Sequence, residues 1–110
     1  MAVVSATNYS SGVVNFASGS ETGTYTAADF TVTVGFVPKH FKITNVTDRI
    51  TQEWHSGMNQ GDFIETIAAG DRTLETDDQI IVHATDGTVA IDVSGGIQTD
   101  NDTVVWEAWG

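Results

Sequence analysis

The sequence contains three histidines, the side chains best suited to ligate a metal ion or to transfer a proton near neutral pH. They are His40, His55 and His83, and their spacing matches neither HxH nor HExxH, the short fixed intervals typical of zinc sites. Exposure on strands explains these residues more simply, and we expect His83 to face solvent. The sequence therefore predicts no metal ligation.

The carboxylates are the second group that could do chemistry. Asp77-Asp78 and Asp100-Asn101-Asp102 could offer oxygen ligands to calcium, but no EF-hand pattern surrounds them, and turn-forming side chains explain them more simply. A glycosidase needs two carboxylates at a fixed separation, and nothing in the sequence selects such a pair. The sequence has neither a GxSxG elbow nor a Gly-rich phosphate loop. We therefore expect no enzymatic activity, no catalytic residues and no cofactor.

The charge balance is strongly acidic. Fifteen acidic residues against four basic ones give a net charge of −11. Because affinity for nucleic-acid phosphates comes from Lys and Arg, we expect no nucleic-acid partner. The chain has no Cys, and it begins without the basic and apolar regions of a signal peptide. No run approaches the ~18 apolar residues of a membrane span, so we expect a soluble, unprocessed protein with no membrane partner.

The segment at residues 80–93 is the clearest signal of local structure. Two β-prone runs flank Asp86-Gly87, a dipeptide that favours type I′ hairpin turns. A tight turn at this dipeptide would pair Val82 with Ile91 and Ile80 with Val93, so that the apolar residues share one face. The sequence therefore predicts an antiparallel sheet that is buried on one face only.

Alternation of apolar and polar residues recurs along the rest of the chain, as in half-buried strands. It predicts strands at residues 30–36, 40–46, 49–55 and 103–109, and we assign the ambiguous segment at residues 63–69 to a strand as well. We expect a turn at Thr47-Asp48 and loops at residues 18–29 and 73–78.

The same alternation predicts which side chains face the core. Phe41 and Ile43 point inward from the strand at residues 40–46, and Trp54 shares a face with Ile50 and Gln52. In the strand at residues 103–109, Trp106 shares the inward face with Val104 and Ala108. Apolar residues also occupy its opposite face, which predicts a cover on both sides, and the second cover could be another subunit.

These elements predict an all-β fold. About seven to eight short strands at even spacing, separated by turn signals, are typical of an antiparallel β-sandwich or jelly roll, here as a single domain. We divide the chain into residues 1–29, an N-terminal arm with a first weak strand, and residues 30–110, the β-sandwich core. The arm is rich in Ser, Thr, Gly and Ala.

The middle of the chain resembles small structural proteins of tailed bacteriophages. The resemblance lies in Gly35-Phe36-Val37-Pro38-Lys39, in the run FKITNVTDR at residues 41–49, and in Glu53-Trp54. In the phage proteins a GF-x-P strand end leads into an apolar V/I-x-N-x-T-D strand and then an aromatic residue. The turn at Gly57-Met58 and the closing VWEA at residues 105–108 extend the resemblance over the chain from about residue 30 onward.

Phages use such short β-sandwiches as capsid decoration (cement) proteins. The resemblance therefore implies a non-enzymatic protein of the outer capsid surface of the virion, assembled in the host bacterial cytoplasm. Its partner would be the major capsid protein, and by binding the mature shell it would stabilise that shell. The resemblance also implies self-association, often as homotrimers.

The arm and the exposed apolar side chains are where we expect the partner to bind, because aromatic and apolar residues anchor interfaces. The predicted interface residues are Val3, Val4, Tyr9, Trp54, Met58 and Trp109. Two alternatives remain open. One is a carbohydrate- or receptor-binding module of a tail or fibre, with Trp54, Tyr25 and Trp109 as exposed platforms. The other is a structural component of the neck or tail.

Overall fold

The structure, a computed structural model, describes residues 15–22, 29–76, 80–83, 85–92, 96–97 and 102–110. These residues form nine strands, all paired antiparallel, and no helix. Among them, accordingly, no helix has the length and apolar character needed to cross a membrane. The predicted all-β fold is confirmed, with one or two strands more than expected.

The strands form two sheets that face each other as a β-sandwich. In chain order they are β1 (Phe16–Thr22), β2 (Phe30–Thr33), β3 (His40–Asn45), β4 (Ile50–His55), β5 (Phe63–Thr66), β6 (Arg72–Glu75), β7 (Ile80–Val82), β8 (Thr88–Ile91) and β9 (Thr103–Trp109). The larger sheet has the order β1-β9-β3-β4-β5-β6, and the smaller has the order β2-β8-β7.

The core lies between the sheets and contains the residues that alternation placed there. Phe41 and Ile43 are fully buried, as are Val104 and Ala108 of β9. Trp54 belongs to the same cluster. From the smaller sheet the core receives the buried side chains of Val32, Ile80, Val82, Val89 and Ile91. Side chains alternate between the two faces of a strand because of local backbone geometry, so the sequence alone predicts which of these residues face the core.

Two predicted loops contain strands. The segment at residues 18–29 was expected to be a loop, but β1 continues to Thr22 and pairs with β9 along its whole length. Likewise β6 occupies part of the predicted loop at residues 73–78 and pairs with β5. Both are edge strands of the larger sheet. An edge strand gains its backbone hydrogen bonds from one neighbour, whatever its own side-chain pattern, so apolar alternation does not reveal it.

The register predicted for the hairpin at residues 80–93 was wrong by two residues. Val82 pairs with Val89 rather than Ile91, and Ile80 pairs with Ile91. Asp86 does not have the positive φ that a type I′ turn requires, since Arg49 is the non-Gly residue with positive φ in the described chain. Thr88 therefore faces His83 rather than Thr85, and the loop lengthens by two residues, both before Asp86. Because the shift is even, the same side chains still face the core.

Gly87 explains why the longer loop is preferred. Its carbonyl oxygen accepts hydrogen bonds from the backbone N–H groups of Val34 (2.8 Å) and Gly35 (3.1 Å), just beyond the end of β2. Its φ is 67°, and a Cβ at this position would lie 3.0 Å from the backbone nitrogen of Phe36. The contact with the neighbouring strand thus outweighs the local preference of Asp-Gly for a tight turn.

A buried polar network connects the end of β3 to the segment before β9, the strand beside it. Asn45 is fully buried, and its Nδ2 donates to the carbonyl oxygen of Ile97 and to Oδ2 of Asp102, both at 2.8 Å. Its Oδ1 accepts from the backbone N–H of Asp48 at 2.8 Å. One side chain thereby anchors the turn after β3 to the segment that precedes β9. Asn45 is the Asn of the V/I-x-N-x-T-D pattern, but the alternation of apolar residues did not predict its burial.

Trp106 faces inward, as predicted, but it is only partly buried. Its ring packs against the core and covers Gly19, its partner in β1. A Cβ at Gly19 would lie 2.7 Å from the indole ring. The absence of a side chain at Gly19 therefore lets a large aromatic residue close the edge of the sandwich.

Because Asn45 makes three buried or partly buried hydrogen bonds, its replacement should lower the stability of the fold substantially. Asn45→Ala leaves the Ile97 carbonyl, the Asp102 carboxylate and the Asp48 N–H with one partner fewer each, so we expect the free energy of unfolding to fall by about 2–4 kcal/mol. Denaturant unfolding measures this loss. Asn59→Ala, at an exposed side chain, is the matched control and should change stability by less than about 0.5 kcal/mol. Equal effects of the two variants would contradict the network.

The loop at Gly87 predicts a second stability difference. Gly87→Ala places a Cβ at positive φ and against the Phe36 backbone, so we expect a loss of about 1–3 kcal/mol in thermal or denaturant unfolding. Gly57 lacks a positive φ and a Cβ there would meet no atom within 4 Å. Gly57→Ala should therefore leave stability almost unchanged. If Gly87→Ala leaves the stability unchanged, the described geometry of the loop is wrong.

Candidate functional site

The outer face of the larger sheet, turned away from the smaller sheet, is the most distinctive surface of the protein. Side chains that alternate with the core residues along β3, β4 and β9 point to this face and are half-buried or exposed. All nine described strands belong to the two sheets, so none of them forms a third layer over this face. Within the part of the chain that the structure describes, no strand covers the outer face.

Four aromatic side chains lie in one row across the outer face. We call Phe16, Trp109, His40 and His55 the aromatic row. The strand registers place them side by side: Phe16 opposite Trp109, Trp109 opposite His40, and His40 opposite His55. Four residues on four adjacent strands thus meet at the same end of the sheet.

The rings of the aromatic row contact one another. The His40 and His55 ring centroids are 4.1 Å apart with 15° between the planes, and His40 and Trp109 are 4.6 Å apart with 20° between the planes. Phe16 and Trp109 are tilted, with centroids 5.6 Å apart. Such pairs contribute about 0.5–1.5 kcal/mol each beyond the area they bury. The row is therefore a packed feature of the sheet and not a set of independent surface side chains.

A row of charged side chains runs beside the aromatic row. Lys42 of β3 lies opposite Glu53 of β4 and opposite Glu107 of β9. Opposite charges at facing positions stabilise neighbouring strands modestly. The single lysine between two glutamates leaves this part of the outer face acidic, like the chain as a whole.

His40 occupies an unusual environment within the aromatic row. Its Nε2 atom is buried and has no hydrogen-bond partner among the described residues. Its pKa lies below the ordinary value of 6.5, because burial removes solvent from the charged form and because His55 adds repulsion. Lys42 lowers this pKa further, while Glu53 and Glu107 oppose the shift. At pH 7 the neutral imidazole is therefore the favoured form of His40 in the folded protein.

Glu53 brings a carboxylate to the two histidines. It lies two residues before His55 in β4 and therefore on the same face. The ligand-type atoms of His40, Glu53 and His55 all lie within 4.8 Å of one another. Within the described chain this is the group that combines three side chains able to ligate a metal. The predicted strands at residues 40–46 and 49–55 already imply that His40 faces His55, but spacing rules for zinc motifs do not detect a pair formed across strands.

The predicted interface residues have different locations. Val3, Val4 and Tyr9 lie outside the described residues. Trp54 is only 4% exposed, and its Nε1 donates to the Asn59 carbonyl oxygen at 3.2 Å, so within one chain it is a core residue with little surface for a partner. Burial follows from its position on the inward side of β4.

The other two predicted interface residues lie near the aromatic row. Trp109 is a member of it. Met58 is partly buried against the core, and its sulfur accepts the backbone N–H of His55 at 3.4 Å. The structure thus brings Trp109 and Met58 to one end of the larger sheet, beside two histidines for which the sequence predicted only solvent exposure.

A concave surface lies on the smaller sheet. It has a volume of about 310 Å³, and its lining residues are Asp29, Phe30, Thr31, Ile81, Ala90, Ile91 and Asp92. Both aspartates already have interaction partners. This depression therefore lacks the convergent unpaired polar groups that fix a small ligand.

Comparisons with known proteins identify no relative. No protein-family model, no curated protein and no solved structure matches the chain. The function must therefore be argued from the residues themselves.

The environment of His40 predicts its titration. We expect its imidazole signals in an NMR titration to have a midpoint below 6.5, and His55→Ala to raise the midpoint while burial still keeps it below 6.5. Because the unfolded chain binds more protons than the folded chain between the lowered pKa and 6.5, stability should rise with pH through that window and level off above it. A His40 midpoint at or above 6.5 would contradict this environment.

Proposed function

We propose that this protein is a non-enzymatic virion component that binds the outside of a bacteriophage capsid and stabilises the mature shell. Its partner would be the major capsid protein, with self-association into oligomers. The aromatic row on the outer face, which no described strand covers, is the observation that carries the binding role. The phage resemblance supplies the identity of the partner.

The residues that carry the resemblance lie together in the fold. The GF-x-P segment leads into β3, the FKITNVTDR segment covers β3 and its turn, and Glu53-Trp54 lies in β4. The closing VWEA lies in β9, which is the neighbour of β3. The similar residues therefore form the centre of the larger sheet, which is expected of a pattern that preserves a structural scaffold.

The aromatic row has the composition of a protein interface. Aromatic side chains are enriched at interface centres, where they bury large areas at low entropic cost. Phe16, at the end of the row, is 53% exposed although it is a large apolar residue. A partner that covers Phe16 would remove this apolar surface from water, which is favourable by about 25 cal/mol per Å².

The edge strand β1 offers a second means of attachment. Of the described strands it pairs with β9 alone, and a strand of a partner would pair with the backbone groups on its other side. The predicted interface residues Val3, Val4 and Tyr9 precede β1 in the chain. Phe16, the first residue of β1, belongs to the aromatic row, so a partner strand along β1 would also reach this row.

A carbohydrate-binding module is the main alternative, and the geometry favours it less. A sugar stacks on an aromatic ring whose face is open. The ring of Trp109 has His40 at 4.6 Å in a stacked arrangement and Phe16 at 5.6 Å. Trp54 is in the core. The two described tryptophans proposed as platforms therefore do not offer a free ring face.

Co-sedimentation tests the proposal. We expect the purified chain to bind undecorated heads of the phage that encodes it, saturably and at a fixed ratio to the capsid protein. Phe16→Ser should weaken this binding about tenfold or more, because loss of an interface anchor costs upwards of 1–2 kcal/mol. Its exposure means that the fold should survive the substitution.

Val46→Ser is the matched control. Val46 is 51% exposed and lies in the turn at the other end of β3. This variant should bind heads like the unchanged protein. Binding to isolated tails alone would favour a tail component. Binding to host envelopes alone would favour a receptor-binding module, and either result would overturn the capsid proposal.

A further inference from the structure

We propose that His40, His55 and Glu53 form a binding site for a divalent transition-metal ion, of which Zn²⁺ is the representative. The site lies on the outer face of the larger sheet, at the β3–β4 hairpin. It does not depend on the proposed capsid function, because it rests only on these three side chains and their surroundings.

The geometry of the hairpin assembles the site. His40 and His55 occupy directly facing positions in β3 and β4, and Glu53 is the next residue of β4 on the same face. Their ligand-type atoms lie within 4.8 Å of one another. Bonds of about 2.0–2.2 Å place tetrahedral zinc ligands roughly 3.3 Å apart, so each pair of atoms needs to approach by at most about 1.5 Å.

The side chains have different freedom to make this approach. The ring of His40 is held between His55 and Trp109, with centroid distances of 4.1 Å and 4.6 Å. His55 is exposed, and Glu53 is half-exposed. Stacked imidazoles have parallel planes, whereas their in-plane lone pairs must converge on a shared ion. His40 would therefore stay in place while His55 turns out of the stack.

The buried nitrogen of His40 is a second, independent observation. Nε2 has no hydrogen-bond partner among the described residues, although buried polar atoms are paired in the great majority of cases. An unpaired buried acceptor or donor destabilises the fold, and a ligand that satisfies it removes the penalty. A bound ion, or a water molecule ordered by that ion, would satisfy this nitrogen.

The donor set selects the class of ion. Two imidazole nitrogens with one carboxylate oxygen suit Zn²⁺, Cu²⁺, Ni²⁺ and Fe²⁺, whereas Mg²⁺ and Ca²⁺ prefer oxygen ligands alone. The same two-histidine, one-carboxylate set occurs in zinc enzymes that keep one coordination position open. Here the remaining position would face solvent on the outer face, because no described strand covers it.

Lys42 places a positive charge beside the site, close enough to influence His40. It lies directly opposite Glu53 in the β3–β4 register and also opposite Glu107. Its charge therefore opposes a cation bound by His40 and Glu53. Replacement of Lys42 by Gln would accordingly strengthen metal binding.

Calorimetric titration of the full chain, freed of metal by a chelator, tests the site. We expect saturable one-to-one binding of Zn²⁺ and no binding of Mg²⁺ at the same concentrations. His55→Ala should weaken Zn²⁺ binding about tenfold or more, because loss of even an outer-shell partner costs 10–100-fold in affinity. Glu53→Gln and His40→Phe should each weaken it as well, and His40→Phe keeps an aromatic ring in the stack.

His83→Ala is the matched control, since His83 is the third histidine and lies at the β7–β8 loop of the other sheet. It should bind Zn²⁺ like the unchanged chain, and NMR should show Zn²⁺ shifting the ring signals of His40 and His55 but not those of His83. Circular dichroism checks that each variant is folded. Absence of saturable Zn²⁺ binding by the unchanged chain overturns the site. Equal affinities of His55→Ala and the unchanged chain, or a loss in His83→Ala, overturn it too.

Discussion

The insertion of β9 between β1 and β3 is the constraint on which the rest of the structure depends. It joins the last strand of the chain to the first described strand, and both pairings run antiparallel along the strands. One side of β9 supplies Val104 and Ala108 to the core, and the other side carries Trp109 into the aromatic row. Core, sheet edge and candidate site therefore all depend on the pairing of β9 with its two neighbours.

Polar contacts determine how the ends of this sheet are arranged. Asn45 bonds the carbonyl of Ile97 and the carboxylate of Asp102, which fixes where the chain enters β9. A buried amide with unmet hydrogen bonds is costly, so this arrangement is favoured over registers that would leave Asn45 unpaired. Gly87 acts similarly in the smaller sheet, where its carbonyl oxygen binds the end of β2.

The two proposals concern one surface but different side chains. Capsid binding relies on Phe16 and Trp109, at the β1 edge, and metal binding relies on His40, His55 and Glu53. His40 connects them, because its ring stacks on Trp109 as well as on His55. Each proposal can fail without the other. If both hold, a metal that turns His55 would leave the Trp109 end of the row in place for the partner.

The sequence by itself determined the strand class and the side chains that face the core, including Phe41, Ile43 and Trp54, because alternation along a strand is a local property of the backbone. It also implied that His40 faces His55, since the turn between their strands is short. The tertiary structure alone decided the shifted register at Asp86-Gly87, the edge strands β1 and β6, and the place of Trp109 beside His40. These features arise from contacts between segments far apart in the chain. The energies of such contacts outweigh the local conformational preferences of the residues. They also produce no alternation of apolar and polar residues from which the sequence would reveal them.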